Sequence, residues 1–178
     1  MLITLVGFMA CGKSTLGPLM ALCLNQPFRD LDACVEARAG RSLAWLFEQE
    51  GEEGFRRLER SAWHEQVREF SGVLAVGGGL PCQPGGVEEL RAAGPVLFLD
   101  PPLDLLLARL QGDRQRPLVT ALPEERRASA LRELWVHRRD FYLQAGRRVE
   151  LPAGEDLPRQ LDRLLDALGE EQTVRGGR

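Results

Sequence analysis

A short apolar run, Leu2-Ile3-Thr4-Leu5-Val6, leads directly into Gly7-Phe8-Met9-Ala10-Cys11-Gly12-Lys13-Ser14-Thr15, and this junction constrains the chain more than anything else in it. The loop fits G-x-x-x-x-G-K-[ST], a pattern that carries chemistry only between a buried strand and a helix. Both are expected here, a strand over Leu2–Val6 and a helix from Lys13. Gly7 and Gly12 let the backbone turn tightly, so that successive N–H groups point inward at the positive end of the helix, a ready site for phosphate. Ala10, Cys11, Gly12, Lys13, Ser14 and Thr15 are therefore the expected nucleotide-phosphate contacts. Lys13 reaches for the outer phosphates, and the Ser14 hydroxyl is placed to ligand Mg²⁺. Of 23 basic residues Lys13 is the only lysine, which marks a position where a compact ammonium serves and a planar guanidinium does not.

The remainder reads as one domain over residues 1–168 with alternating β and α segments. Strands are expected at Leu2–Val6, Phe28–Leu31, Val73–Val76, Pro95–Leu99 and Arg147–Leu151. Several are apolar on both faces, as in a parallel sheet covered by helices. Helices are expected at Lys13–Leu24, Ser42–Glu50, Glu52–Phe70, Gly86–Ala93, Leu103–Gln111, Pro123–Ala145 and Leu157–Leu168. Pro18 inside the first of these predicts a local distortion. The arginine-rich, proline-bearing stretch Gly112–Arg127 reads as a mobile basic lid, and residues 169–178 read as a frayed tail.

Composition removes other classes. Hydrophobic residues at 44% and charged residues at 28% describe an ordinary globular chain. No apolar run approaches the roughly 20 residues of a bilayer-spanning helix. A net charge of −3 argues against a broad nucleic-acid surface. Cys11, Cys23, Cys34 and Cys82 form no C-x-x-C pair and only two histidines exist, so neither a zinc site nor a disulfide framework is expected. The N-terminus shows no secretion signal, and a cytoplasmic location is expected.

Three further groups of residues suggest an acceptor site. Asp30 and Asp32, read as alternate residues at the end of a strand, present two carboxylates on one face. Arg56 and Glu59 are three apart on a helix, either a surface ion pair or an arginine oriented by an acid to clamp a substrate carboxylate. Gly77-Gly78-Gly79 directly after a strand allows close approach of backbone to a ligand.

In this order and spacing the residues resemble the shikimate kinase family. The set runs from Gly7–Thr15 through Asp30-Leu31-Asp32 with Val35-Glu36, Gly40-Arg41-Ser42, Leu46-Phe47, Gly51-Glu52, Phe55-Arg56-Arg57-Leu58-Glu59, Gly77–Gly79 and Arg116-Pro117-Leu118 to Arg138 and Tyr142, and covers Leu2 to about Leu151. The resemblance implies a P-loop, nucleoside-monophosphate-kinase-like α/β fold with a five-stranded parallel sheet and a mobile lid. It implies transfer of the γ-phosphoryl of ATP to the 3-hydroxyl of shikimate, with Mg²⁺ as cofactor and no membrane or nucleic-acid partner. The chain is expected to act as a monomer. By the same resemblance Lys13, Asp32 and Arg116 are catalytic, and Asp32 also orients the attacking hydroxyl. Arg56, Gly77, Gly78, Gly79 and Arg138 bind the acceptor. Ser14 and Asp30 attend the metal, and Arg109 packs against adenine. Arg116 reaches the phosphates from the lid. Three positions depart from the family pattern or stay open. Ala10 stands where the family usually has glycine, so its methyl crowds the loop unless φ is negative. Arg139 adjoins Arg138 and can compete for its role. The adenine-contacting loop is placed no more finely than Pro152–Pro158. The alternatives are another small-molecule kinase of this architecture, such as a gluconate kinase, or a catalytically silent nucleotide-binding relative.

Overall fold

A computed structural model describes residues 1–113 and 117–176. Five parallel strands, β1 (Leu2–Val6), β2 (Phe28–Asp30), β3 (Gly72–Ala75), β4 (Val96–Asp100) and β5 (Arg147–Glu150), form one sheet in the order β2-β3-β1-β4-β5. The three inner strands are buried along their whole length, which explains their uninterrupted apolar sequences. The edge strands β2 and β5 are only partly buried and carry arginines. Register pairs Leu5 with Ala75 and with Leu97, so the loops leaving β1 and β3 emerge side by side at the carboxyl edge. Ligands of open α/β sheets bind at that edge.

Helices cover both faces: α1 (Lys13–Cys23), α2 (Leu31–Ala39), α3 (Leu43–Glu69), α4 (Gly86–Ala93), α5 (Leu103–Gln111), the short α6 (Pro117–Thr120), α7 (Glu124–Ala145) and α8 (Leu157–Gly176). Trp63, Tyr142, Phe8 and Phe98 are the largest fully enclosed side chains of the core. Among the described residues no helix is long and apolar enough to cross a membrane.

Three expectations change. Asp32 does not continue β2: the strand stops at Asp30, whose side chain accepts the Asp32 amide and caps α2. The acidic pair is therefore a helix cap and a first-turn residue, with no strand alternation between them. As expected, two helical limbs lie on either side of Gly51, which is non-helical at φ 67° and ψ 179°; both carry the label α3. Within the stretch expected to be a lid, Pro117–Thr120 forms a helical turn, Val119 is fully buried, and α7 begins at Glu124. Arg116 itself lies outside the described residues. Finally, α8 runs on to Gly176, past the expected boundary at Leu168. Pro18 does sit inside α1, as its sixth residue, where it supplies no N–H to the Ser14 carbonyl.

Candidate active site

The loop after β1 closes around its own lysine. Gly7 has φ 146° and Gly12 φ 104°, and Gly12 serves as the N-cap of α1 with no side-chain cap. The amides at this helix start are thus left for an anion. The Lys13 Nζ donates to the carbonyls of Gly7 (3.0 Å) and Phe8 (3.1 Å) and lies 3.4 Å from the Cys11 Sγ. Ala10 takes φ 59°, the left-handed conformation in which its methyl is disfavoured. Arg109 reaches across from α5 and donates through Nη1 to the Ala10 carbonyl at 2.8 Å, which puts its guanidinium over the loop.

Ser14 faces the acidic corner. Its Oγ donates to Asp30 Oδ2 at 3.0 Å, while Asp30 Oδ1 accepts from the Asp32 amide at 3.1 Å. A hydroxyl and a carboxylate held together are hard oxygen donors and suit Mg²⁺, which keeps several waters and takes few protein ligands. Among the described residues no cluster of three or more His, Cys, Asp or Glu could hold a metal by itself, so an ion here would rely on phosphate oxygens as well.

A second wall is built on the three glycines, each of which lets a neighbouring side chain approach closely. A Cβ on Gly77 would overlap Glu59 Oε1 and lie 3.3 Å from Asp32 Oδ1. One on Gly78 would meet the Tyr142 hydroxyl at 3.0 Å and the Gly7 carbonyl at 3.1 Å. One on Gly79 would overlap the Arg56 guanidinium. The triplet therefore exists so that Glu59, Tyr142 and Arg56 can lie directly on the backbone. The Tyr142 hydroxyl donates to the Gly78 carbonyl at 2.7 Å and is fully enclosed, and burial pushes its phenol far above the ordinary value. Arg138, one turn earlier on α7, is also buried and lines the same cavity.

Arg56 and Glu59 are not a solvated surface pair. Arg56 Nη1 donates to Glu59 Oε2 at 2.8 Å and Nη2 to Glu52 Oε1 at 3.0 Å, and the Glu59 side chain has no exposure at all. Burial raises the Glu59 carboxyl above its ordinary value, and the Arg56 charge is the largest influence opposing this. Arg139 does not share this cavity with Arg138. It turns the other way, to Asp100 Oδ2 (3.1 Å) and over the Trp135 ring, in a separate depression.

One cavity of about 750 Å³ joins these parts. Its wall includes the loop from Ala10 to Thr15, Asp30, Asp32, Arg56, the three glycines, Arg109 and Arg138. Every expected site residue within the described part of the chain therefore meets at one place. Leu151, Glu155, Leu157 and Gln160 also line the cavity, and of these Glu155 and Leu157 fall within the Pro152–Pro158 region. The sequence reading missed Gln83, whose Nε2 donates to Glu59 Oε2 at 2.9 Å. It also missed Glu36, which accepts from the Leu43 amide at 2.7 Å. The only signal for Glu36 was its place in the Val35-Glu36 motif, and Gln83 had none.

Comparison with known proteins agrees with this geometry. The shikimate kinase family model matches residues 9–168. A shikimate kinase of Synechococcus elongatus is 39% identical over 164 residues, 92% of this chain and 84% of that protein. The crystal structure of shikimate kinase from Bacteroides thetaiotaomicron superposes with a TM-score of 0.85 at 35% identity, covering 94% of this chain and 98% of that one. Shikimate kinase from Acinetobacter baumannii, in complex with shikimate, gives 0.83 at 32% identity over 99% of this chain and 94% of that one. A gluconokinase from Sinorhizobium meliloti shares the fold alone, at 15% identity and a TM-score of 0.61. On the strength of the family match and these identities over nearly the whole chain, the protein belongs to the shikimate kinase family.

Proposed function

We infer that the two ends of the cavity hold the two substrates of one phosphoryl transfer, ATP on the loop and shikimate between Asp32, Arg56, Arg138 and the glycines. The observation that carries this reading is the shared cavity: a phosphate cradle and a pocket of two arginines and a carboxylate open onto each other. Phosphoryl transfer depends mainly on alignment and on charge stabilisation. Lys13 would exchange the Gly7 and Phe8 carbonyls for phosphate oxygens. The loop amides would hold the rest of the polyphosphate. Arg56 and Arg138 would grip the acceptor's carboxylate, since guanidinium groups match that anion in geometry and charge. Asp32, beside Gly77, would accept a hydrogen bond from the attacking hydroxyl and take its proton as the bond to phosphorus forms. Arg116 is assigned to the transferring phosphoryl group by the family pattern. Ser14 and Asp30 would hold Mg²⁺, which when bound neutralises charge on the phosphate oxygens.

Arg109 on one side and Leu151 and Leu157 on the other would enclose the adenine, a flat apolar ring suited to a cation face and an aliphatic wall. The four cysteines are free, in keeping with a reducing cytoplasm.

The test is acceptor-dependent ADP release with the purified chain. Shikimate is expected to stimulate turnover and gluconate to leave it at background. Asp32→Asn should lower kcat by two or more orders of magnitude, about the range for a lost general base, with the fold retained. Turnover with gluconate would overturn the acceptor assignment, and near-normal kcat in Asp32→Asn would overturn the role of Asp32.

A further inference from the structure

The buried carboxylate that orients Arg56 has a third partner that comes from outside its helix. Glu59 is completely enclosed, and its two oxygens are treated unequally. Oε2 accepts from Arg56 at 2.8 Å and from the Gln83 amide at 2.9 Å, whereas Oε1 has no hydrogen-bond partner among the described residues and lies against Gly77. Gln83 lies 24 positions further along the chain and ends the short 3₁₀ turn Leu80–Cys82 that follows the glycines. Its backbone is fixed on both sides, its N–H donating to the Leu80 carbonyl and its carbonyl accepting from the Gly86 amide. A half-buried amide held this firmly is well placed to set the position of another group.

We propose that Gln83 is a positioning residue for acceptor binding: its amide fixes the Glu59 carboxylate as the anchor from which Arg56 is aimed at the acceptor's own carboxylate. The inference rests on reading this end of the cavity as the acceptor site. A carboxylate removed from water stays charged only if donors and cations around it offset the lost hydration. The groups facing Glu59 are Arg56 on its own helix, Arg138 on α7, Gln83 on the turn and Asp32 on α2, the last sharing the Gly77 contact. Cys82, beside Gln83, is pushed up to about 11 by burial and stays a neutral thiol near neutral pH. Arg56 and Arg138 must also serve the ligand. Gln83 is not among the residues that line the cavity, so its amide serves Glu59 without being drawn to an anion in the pocket. Without that N–H, Glu59 takes up a proton at higher pH. Once neutral it no longer holds Arg56, which is left with the exposed Glu52.

The experiment uses the full chain with Gln83→Met, which keeps reach and volume and removes the donor. KM for shikimate and for ATP is measured from about pH 6 to about pH 8. Near pH 8 the shikimate KM is expected to stay within about twofold of the parent. Near pH 6 it should rise by up to about tenfold, the effect of moving one titration by one unit. The ATP KM should not change. In a Glu59→Gln background the substitution should add no pH dependence. If Gln83→Met does not fold by circular dichroism, Gln83→Ser makes the same comparison. Superimposable KM–pH curves overturn the proposal, as does a loss equal at both ends of the range or shared by ATP. A parent chain that does not phosphorylate shikimate at any pH overturns the acceptor assignment and this inference with it. A normal parent with an unaffected variant overturns this inference alone.

Discussion

Ala10 carries a side chain where the backbone turns left-handed, at φ 59°, in the middle of the phosphate loop. A Cβ in that region costs roughly 1–2 kcal/mol, and glycine does not incur it. Part of the gain from glycine is returned through the freer unfolded chain. Ala10→Gly is therefore expected to stabilise the protein by about 0.5–1 kcal/mol, seen as a higher midpoint of urea unfolding with an unchanged slope. An unchanged or lower midpoint would mean that the methyl gains more from the core it touches than its torsion costs. Residues of this kind separate what the sequence discloses from what it hides. The spacing in Gly7–Ser14 names a phosphate site outright, because few other uses exist for that pattern. Arg56 and Glu59 read equally well as a surface pair, because exposure cannot be told from a three-residue spacing. Only the fold shows Glu59 with no exposure. Gln83 was invisible for the same reason, since an amide acquires meaning only from what it faces.

Among the elements, α2 was the longest one missed, and the cause is visible in its composition. Only Leu31 and Val35 are buried in Leu31–Ala39, too few to form an apolar stripe. Its signals are terminal: Asp30 as cap, and Gly40 at φ 63° just beyond its end. The same helix supports its successor. Glu36 Oε1 accepts the Leu43 amide at 2.7 Å and Ser42 Oγ accepts the Trp45 amide at 3.3 Å, so the first turn of α3 is capped partly by a side chain from α2. The start of α3 brings Leu43 and Phe47 to the cavity that Asp32 also lines. Glu36→Ala is expected to cost about 1 kcal/mol, the usual worth of a cap, and to raise the shikimate KM several-fold while sparing that for ATP. Glu36→Gln keeps an acceptor oxygen and should recover most of both. Equal effects on the two KM values would show that the bond serves stability only.

Over the whole molecule, the sheet was legible because its three central strands are buried on both faces and carry little but apolar side chains. The ends of the strands moved by at most one residue. The stretch expected to form a lid holds one residue, Val119, that the core takes up completely and that its arginines and prolines concealed. Placing charge inside such a fold has a consequence for its stability. Burial raises the folded-state titration of Glu59 above its unfolded value. The stabilising contribution of its proton is complete below the ordinary glutamate range and is lost as pH rises through the folded value. The difference in unfolding free energy, Glu59→Gln minus parent, should therefore grow more positive from about pH 4 to about pH 7, measured by chemical denaturation at fixed ionic strength. A difference that stays flat would mean that Arg56, Arg138 and Gln83 together offset the burial.

Lys13 is the only side-chain primary amine in the chain, and it rests against two carbonyls at the mouth of the cradle. Apart from the α-amino group, an amine-selective acylating reagent that leaves thiols unmodified thus has a single target. A bound nucleotide would shield that target, and the mass added to the intact chain would then count filled and empty sites molecule by molecule.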